Sequence, residues 1–293
     1  MINKKSKKQF VNDNQLPKED RTIRLDTDED PELEELGIFD KPLGINIGMS
    51  SIIGTRDYQQ DSLFADVQNQ NCIGIVCDGM GGMADGDKAS QTAVCTFVED
   101  YYSLKNHDNI PLFMENEAKK IDELVYEIES EDGEKHGSGT TIVAVIIEDN
   151  RMYWMSVGDS RIYIIRGKKI LTVNRDHNLR LRLDQKIQDG TITSTEYHRE
   201  EKNAEALISY LGIGNVSLID VNREALELRE DDIVLLCSDG LYKRLEDEEI
   251  AEIVMYEEPD MKRAAKRLTD VVMRRTKRNQ DNTSVVLMQY GRY

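Results

Sequence analysis

A chain of 293 residues with a formal net charge of −18, 39% hydrophobic and 32% charged residues reads as one large or two small soluble domains. So acidic a chain is repelled by a phosphate backbone and by an anionic bilayer surface, which excludes nucleic acid and membrane as partners. Its longest apolar runs are strand-sized and no apolar stretch follows the basic start, while Cys72, Cys77, Cys95 and Cys237 sit singly, mostly in apolar segments, as reduced thiols of a cytoplasmic protein.

Residues 1–40 differ from the rest. Lys4, Lys5, Lys7 and Lys8 precede an acidic run over 26–35, and apolar periodicity is lacking. The composition predicts a disordered charged tail over 1–40 and a folded body over 41–293. Thr22 and Thr27 lie near acidic residues and, once phosphorylated, would offer a docking point to a phosphothreonine reader.

From Gly44 the pattern predicts strands over 45–53, 62–67 and 72–77. A polar turn before Ser62 holds Arg56, Asp57 and Asp61, and the run Ile73 to Cys77 stops at Asp78, followed by Gly79, Met80, Gly81 and Gly82. A helix follows, with Ala89, Ala93, Phe97 and Tyr101 beside Val94, Val98 and Tyr102; a second carries Ile121, Leu124, Val125 and Ile128 on one face. Residues 130–136 are polar, and a Gly-Ser-Gly-Thr-Thr stretch at 137–141 opens a strand running through Ile147. Strands are predicted at 151–157, 161–166 and 170–173, with Gly167 turning the last pair. Residues 176–216 become charged and irregular, with a short helix near 179–188; so long an insertion is usually functional or mobile. Sheet signals return at 218–221 and 232–237. Two helices come next, the second bearing Met261, Ala264, Ala265, Leu268, Val271 and Val272 behind Asp260 as N-cap, and 284–289 closes the chain as a strand. Strands, helices, strands, helices in that order give an α+β fold with segregated layers.

One device recurs along this order. Asp78, Asp159 and Asp239 each follow an apolar strand, and Asp281 precedes one. A single aspartate at a strand end is usually a turn former or cap. Four of them converge if their strands share a sandwich, and an all-oxygen cluster suits hard cations such as Mg²⁺ or Mn²⁺. A calcium-binding structural protein would instead gather its carboxylates in one loop.

Taken together, Arg56 through Asp61, Asp78-Gly79-Met80-Gly81-Gly82, Gly137 through Thr141, Gly158-Asp159-Ser160-Arg161, Asp176-His177, Ser238-Asp239-Gly240 and Asp281-Asn282 closely resemble the metal-dependent serine/threonine protein phosphatases, the PPM family or type 2C class, in bacterial-like form. The resemblance spans 44–290. It implies an αββα sandwich of two antiparallel sheets flanked by helix pairs, with a flap over about 178–216 beside the site. It implies too that Asp78 bridges two Mn²⁺ or Mg²⁺ ions, with the Gly79 carbonyl on the second and Asp239 and Asp281 on the first. Asp159 would help hold a third, looser ion beside Asp239; Asp61 would bind a water, and Arg56 would grip the substrate phosphate. The implied chemistry is in-line attack of a metal-bridged hydroxide on phosphoserine or phosphothreonine of proteins modified by a serine/threonine kinase, without a phospho-enzyme. Met80 stands where some members carry a histidine acid, and Gln59 and Gln60 replace the more usual pair before Asp61. His177 matches a supporting Asp-His element, while His107, His136 and His198 read as surface residues. The alternative, a metal-free pseudophosphatase acting as a binding module, would typically have lost a strand-tip aspartate, and all four are present.

Overall fold

The computed structural model describes residues 43–291 apart from 69–70, 82–84, 130–136 and 277. The 1–40 tail with Thr22 and Thr27, and also Gly82 and His136, lie outside the described residues.

Along the chain, β1 (Gly44–Ile52), β2 (Asp61–Gln68) and β3 (Asn71–Met80) lead into α1 (Asp85–Ser103) and α2 (Ile110–Tyr126). Then come β4 (Gly139–Thr140), β5 (Ile142–Glu148), β6 (Arg151–Val157), β7 (Arg161–Arg166) and β8 (Lys169–Thr172). Helices α3 (Leu179–Gln188) and α4 (Ser194–Glu200) fill the insertion before β9 (Asp220–Val221), β10 (Leu226–Glu227) and β11 (Asp232–Cys237). The chain finishes with α5 (Asp239–Tyr242), α6 (Asp247–Glu257), α7 (Met261–Arg275) and β12 (Thr283–Gly291).

One sheet has the order β1-β12-β11-β7-β8, the other β10-β6-β5-β3-β2 with β4 and β9 attached, and neighbouring strands pair antiparallel. Period-two alternation explains the layering. In β5, Val143, Val145 and Ile147 face the other sheet, whereas Ile142, Ala144 and Ile146 join the core under α1 and α2. In β11, Val234 and Leu236 face the core between the two sheets and Ile233 and Leu235 the core under α6 and α7. Both faces of the central strands are therefore buried, and the fold is an αββα sandwich of the α+β class.

Three local readings are corrected. Strand β3 does not stop at Asp78, because Gly79 and Met80 pair with Thr140 and Gly139 of β4. Helix α2 starts under an Asn109 cap and buries Ile110, Met114, Ala118, Ile121 and Val125; Leu124 points to solvent and Ile128 lies past the helix end. The 176–216 insertion is less irregular than its charge suggests, since α4 opens with a Thr193–Glu196 capping box. Asp260 caps α7 by accepting from the Arg263 amide.

Asp122 is a structural anchor that the pattern did not reveal. Buried on α2, it accepts from the amides of Gly212 at 2.8 Å, Gly214 at 3.2 Å and Val216 at 2.8 Å. Leu211, just before that turn, bridges to Thr140 beside the Asp78 strand end. Asp122→Ala leaves three amides without their acceptor, and a loss of about 3 kcal/mol is expected in a urea melt. A loss under about 1 kcal/mol would show that water replaces the carboxylate.

Candidate active site

Antiparallel order delivers five aspartates to one end of the sandwich. Asp61 opens β2 directly opposite Asp78 of β3, Asp159 follows β6, Asp239 follows β11 and Asp281 precedes β12. Hydrogen bonds tie the two sheets together there. The Ser238 hydroxyl donates to Asp61 Oδ2 at 2.7 Å while accepting from the Ser284 amide at 3.0 Å. The peptide of Asp78 is clamped from both sides. Its amide donates to Thr141 Oγ1 at 3.0 Å, and its carbonyl accepts from the Thr141 amide at 2.8 Å and the Thr140 hydroxyl at 3.0 Å. At Gly79 the backbone of Gln60 lies so near that an added Cβ would stand 2.6 Å from its carbonyl oxygen, so the close approach needs glycine.

A second set of contacts fixes Asp159 and the Arg56 turn. The Tyr242 hydroxyl donates to the Asp159 carbonyl at 2.9 Å, and the Arg161 guanidinium lies 3.7 Å above the Tyr242 ring while forking Asp176 at 3.0 and 2.7 Å. His177 is fully buried: its amide donates to the Gly158 carbonyl at 2.9 Å, Nδ1 accepts from the Gly158 amide, and Nε2 lies 3.5 Å from Asp220. Asn282 staples the turn by accepting from the Gln60 amide at 2.8 Å and donating to the carbonyls of Ile53 and Tyr58.

Charge is crowded at this tip. Burial pushes Asp61 up to about 7, against the pull of its Ser238 hydrogen bond. Burial, then the charges of Asp61 and Asp239, holds Asp78 well above the usual carboxylate range. Asp159 rises to about 6 through burial and the neighbouring Asp239. Two chain cations answer them. Arg56 Nη2 donates to Asp281 Oδ2 at 2.6 Å, and the Lys243 ammonium donates to Asp239 and stands 4.0 Å from Asp159 Oδ2. Among the described residues no three acidic, histidine or cysteine side chains close on a single point as a ready-made metal cluster. The aspartates share one field without yet sharing one centre. Asp61 Oδ1 and Asp239 Oδ1 are buried without a hydrogen-bond partner. Such oxygens call for a donor or a cation.

The sequence profile of the family described as Protein phosphatase 2C matches residues 50–285. The chain belongs to that family. Membership makes it a protein serine/threonine phosphatase by class. It is 30% identical to the serine/threonine phosphatase stp of Listeria innocua, over 80% of this chain and 91% of that one. Its fold superposes on the S. agalactiae serine/threonine phosphatase with a TM-score of 0.70 at 25% identity, covering 83% of this chain and 98% of the other. It also superposes on the catalytic domain of the phosphatase PstP, whose structure holds two manganese ions, with a TM-score of 0.66 at 26% identity over 85% and 99% of the two chains.

Within this 2C-type phosphatase, the residues singled out by sequence lie at one tip, with Arg56 on the exposed turn and turned toward Asp281. His107 is corrected: it is half-buried, bonded to Glu148 and packed 5.3 Å from the Tyr101 ring, whereas His198 is exposed. Sequence reading gave Ser238 no role beyond its place in the Ser238-Asp239-Gly240 stretch, and it missed Tyr242 and Lys243. Only Lys243 had a signal, its place four residues after Asp239 at a helix start. Among the described residues no helix is long and apolar enough to cross a membrane.

Proposed function

We propose that the enzyme hydrolyses phosphoserine and phosphothreonine on proteins with water as nucleophile and without a phospho-enzyme, using two Mn²⁺ or Mg²⁺ ions and a third held more loosely. The observation that carries this reading is the pair of partnerless buried oxygens, on Asp61 and Asp239, at a tip where burial and mutual repulsion raise Asp61, Asp78 and Asp159. An all-oxygen donor set of that kind fits hard divalent cations. The manganese pair in PstP supports it.

In this reading Asp78 and the Gly79 carbonyl, with Asp239 and Asp281, would hold the pair, and Asp159 with Asp239 would hold the third. The bound cations supply charge that acidifies a water near neutral pH and offsets negative charge on phosphate. The chain's own residues do the rest. Asp61, fixed by Ser238 across the sheets, orients a water at the tip. Arg56, 57% exposed, has room to leave Asp281 and fork the phosphate oxygens of a phosphoprotein. Cys77 and Cys237 flank the site, but burial pushes both thiols up, so neither supplies a thiolate nucleophile at neutral pH. Residues 41–293 form the catalytic domain in this account, with 178–216 as its flap and 1–40 as a separate tail. The free, buried Cys72, Cys77 and Cys237 suit a reducing cytoplasm.

Chelation tests the reading. Protein stripped with EDTA is expected to leave a phosphothreonine peptide intact and to regain turnover when Mn²⁺ or Mg²⁺ is restored. Turnover that survives exhaustive chelation would overturn it.

A further inference from the structure

Lys243 stands in the tip in a way that the phosphatase chemistry does not require. It follows α5 directly, and its amide donates to the Asp239 carbonyl at 3.1 Å. Its ammonium donates to Asp239 Oδ2 and lies 4.0 Å from Asp159 Oδ2, so one cation lies against two carboxylates that follow different strands, β11 and β6. Those carboxylates are largely buried, their side chains 15% and 8% exposed, while the lysine side chain is 44% exposed. The preceding residue, Tyr242, is pinned between the Arg161 guanidinium and the Asp159 carbonyl, so the lysine's root is fixed while its stem is free to swing outward.

Resting on the metal-dependent reading above, we propose that Lys243 is a tethered competitor for the divalent cation of the Asp159–Asp239 pair. A cation arriving there must displace an ammonium that is already bonded to Asp239. Binding at that place is an exchange, one ammonium turned out to solvent for one divalent ion taken in. The ion of the tight pair also uses Asp239, but Asp78 and Asp281 would hold it as well, so the exchange weakens it less than it weakens the ion of the Asp159–Asp239 pair. Lys243 therefore widens the affinity gap between the tight ions and the loose one, and sets the free metal concentration at which the loose one is held.

Calorimetric titration of Mn²⁺ into the chelator-stripped full chain tests this without reading turnover. The wild-type chain is expected to show tight binding plus a weaker class of site. Lys243→Gln should tighten the weaker class most, by about 10-fold or more and by more than the tight class, because a full positive charge in contact with Asp239 and near Asp159 is gone. Lys243→Arg keeps the charge and should stay near wild type, and Asp159→Asn should lose the weaker class. A Lys243→Gln isotherm that superimposes on the wild type, or is weaker, overturns the proposal while leaving metal binding standing. So does equal tightening in Lys243→Arg. A wild-type chain that binds no Mn²⁺ overturns the metal-dependent reading and this inference with it.

Discussion

Asp78→Asn is expected to lower kcat on p-nitrophenyl phosphate at saturating Mn²⁺ by about 10³-fold or more while leaving the fold intact. Asparagine keeps the size of the side chain and removes only its charge. The contacts that place this residue run through its peptide, to Thr140 and Thr141, and are indifferent to that change. Asp78 is also the aspartate whose charge meets all four of the others, Asp61, Asp239, Asp159 and Asp281. Removing it relieves repulsion, so the melting temperature in EDTA should hold or rise even as turnover collapses. Asp57→Asn, an exposed neighbour of Arg56, is the control and should be unchanged in both respects. Retention of most turnover by Asp78→Asn would mean that another carboxylate carries the central role.

In EDTA the protein is expected to become more stable as pH falls from about 8.5 to about 5.5. Asp61 at about 7, Asp159 at about 6 and Asp78, also raised, all bind protons more readily folded than unfolded. The buried Glu117 of α2, raised to about 7 by burial and by Asp100, acts in the same direction. For a carboxyl with a raised folded pKa the native state takes up the proton first, so stability grows as pH drops through the folded value and levels off below the unfolded one. For fully buried Asp61, moving from 3.8 to about 7 corresponds to about 4 kcal/mol. Asp220 works oppositely. Despite burial, the Arg175 and His177 contacts hold it below the usual range, and its contribution fades only in strong acid, outside this window. A rise of roughly 5–10 °C is expected in a melt at low ionic strength. A flat or falling curve over that interval would show that the tip does not bury its carboxylates as repelling anions. Saturating Mn²⁺ should reduce the slope, because bound cations keep the aspartates ionised at all of these values.

Much of this protein was legible in its sequence because the signals are local. Short continuous apolar runs located the central strands, β11 at Asp232–Cys237 among them, and four-residue spacing from Ala89 to Tyr101 located α1. The recurring aspartate at strand tips, with the glycines beside it, was enough to indicate the family and the oxygen-rich site. Tertiary structure alone decided what depends on partners distant in sequence. The extension of β3 past Asp78 comes from pairing with β4 about sixty residues on, and no apolar pattern in β3 encodes it. Asp122 carries no mark in its own helix, since its purpose lies in three amides ninety and more residues away. Ser238 stands in one of the stretches that carry the resemblance, but its bond to Asp61 exists only when the two sheets face each other. The same is true of charge. Composition gives −18 for the whole chain, but only the packed tip sets which aspartates crowd one another and which of them Arg56 and Lys243 neutralise, because Coulomb energy depends on distance and burial rather than on order along the chain.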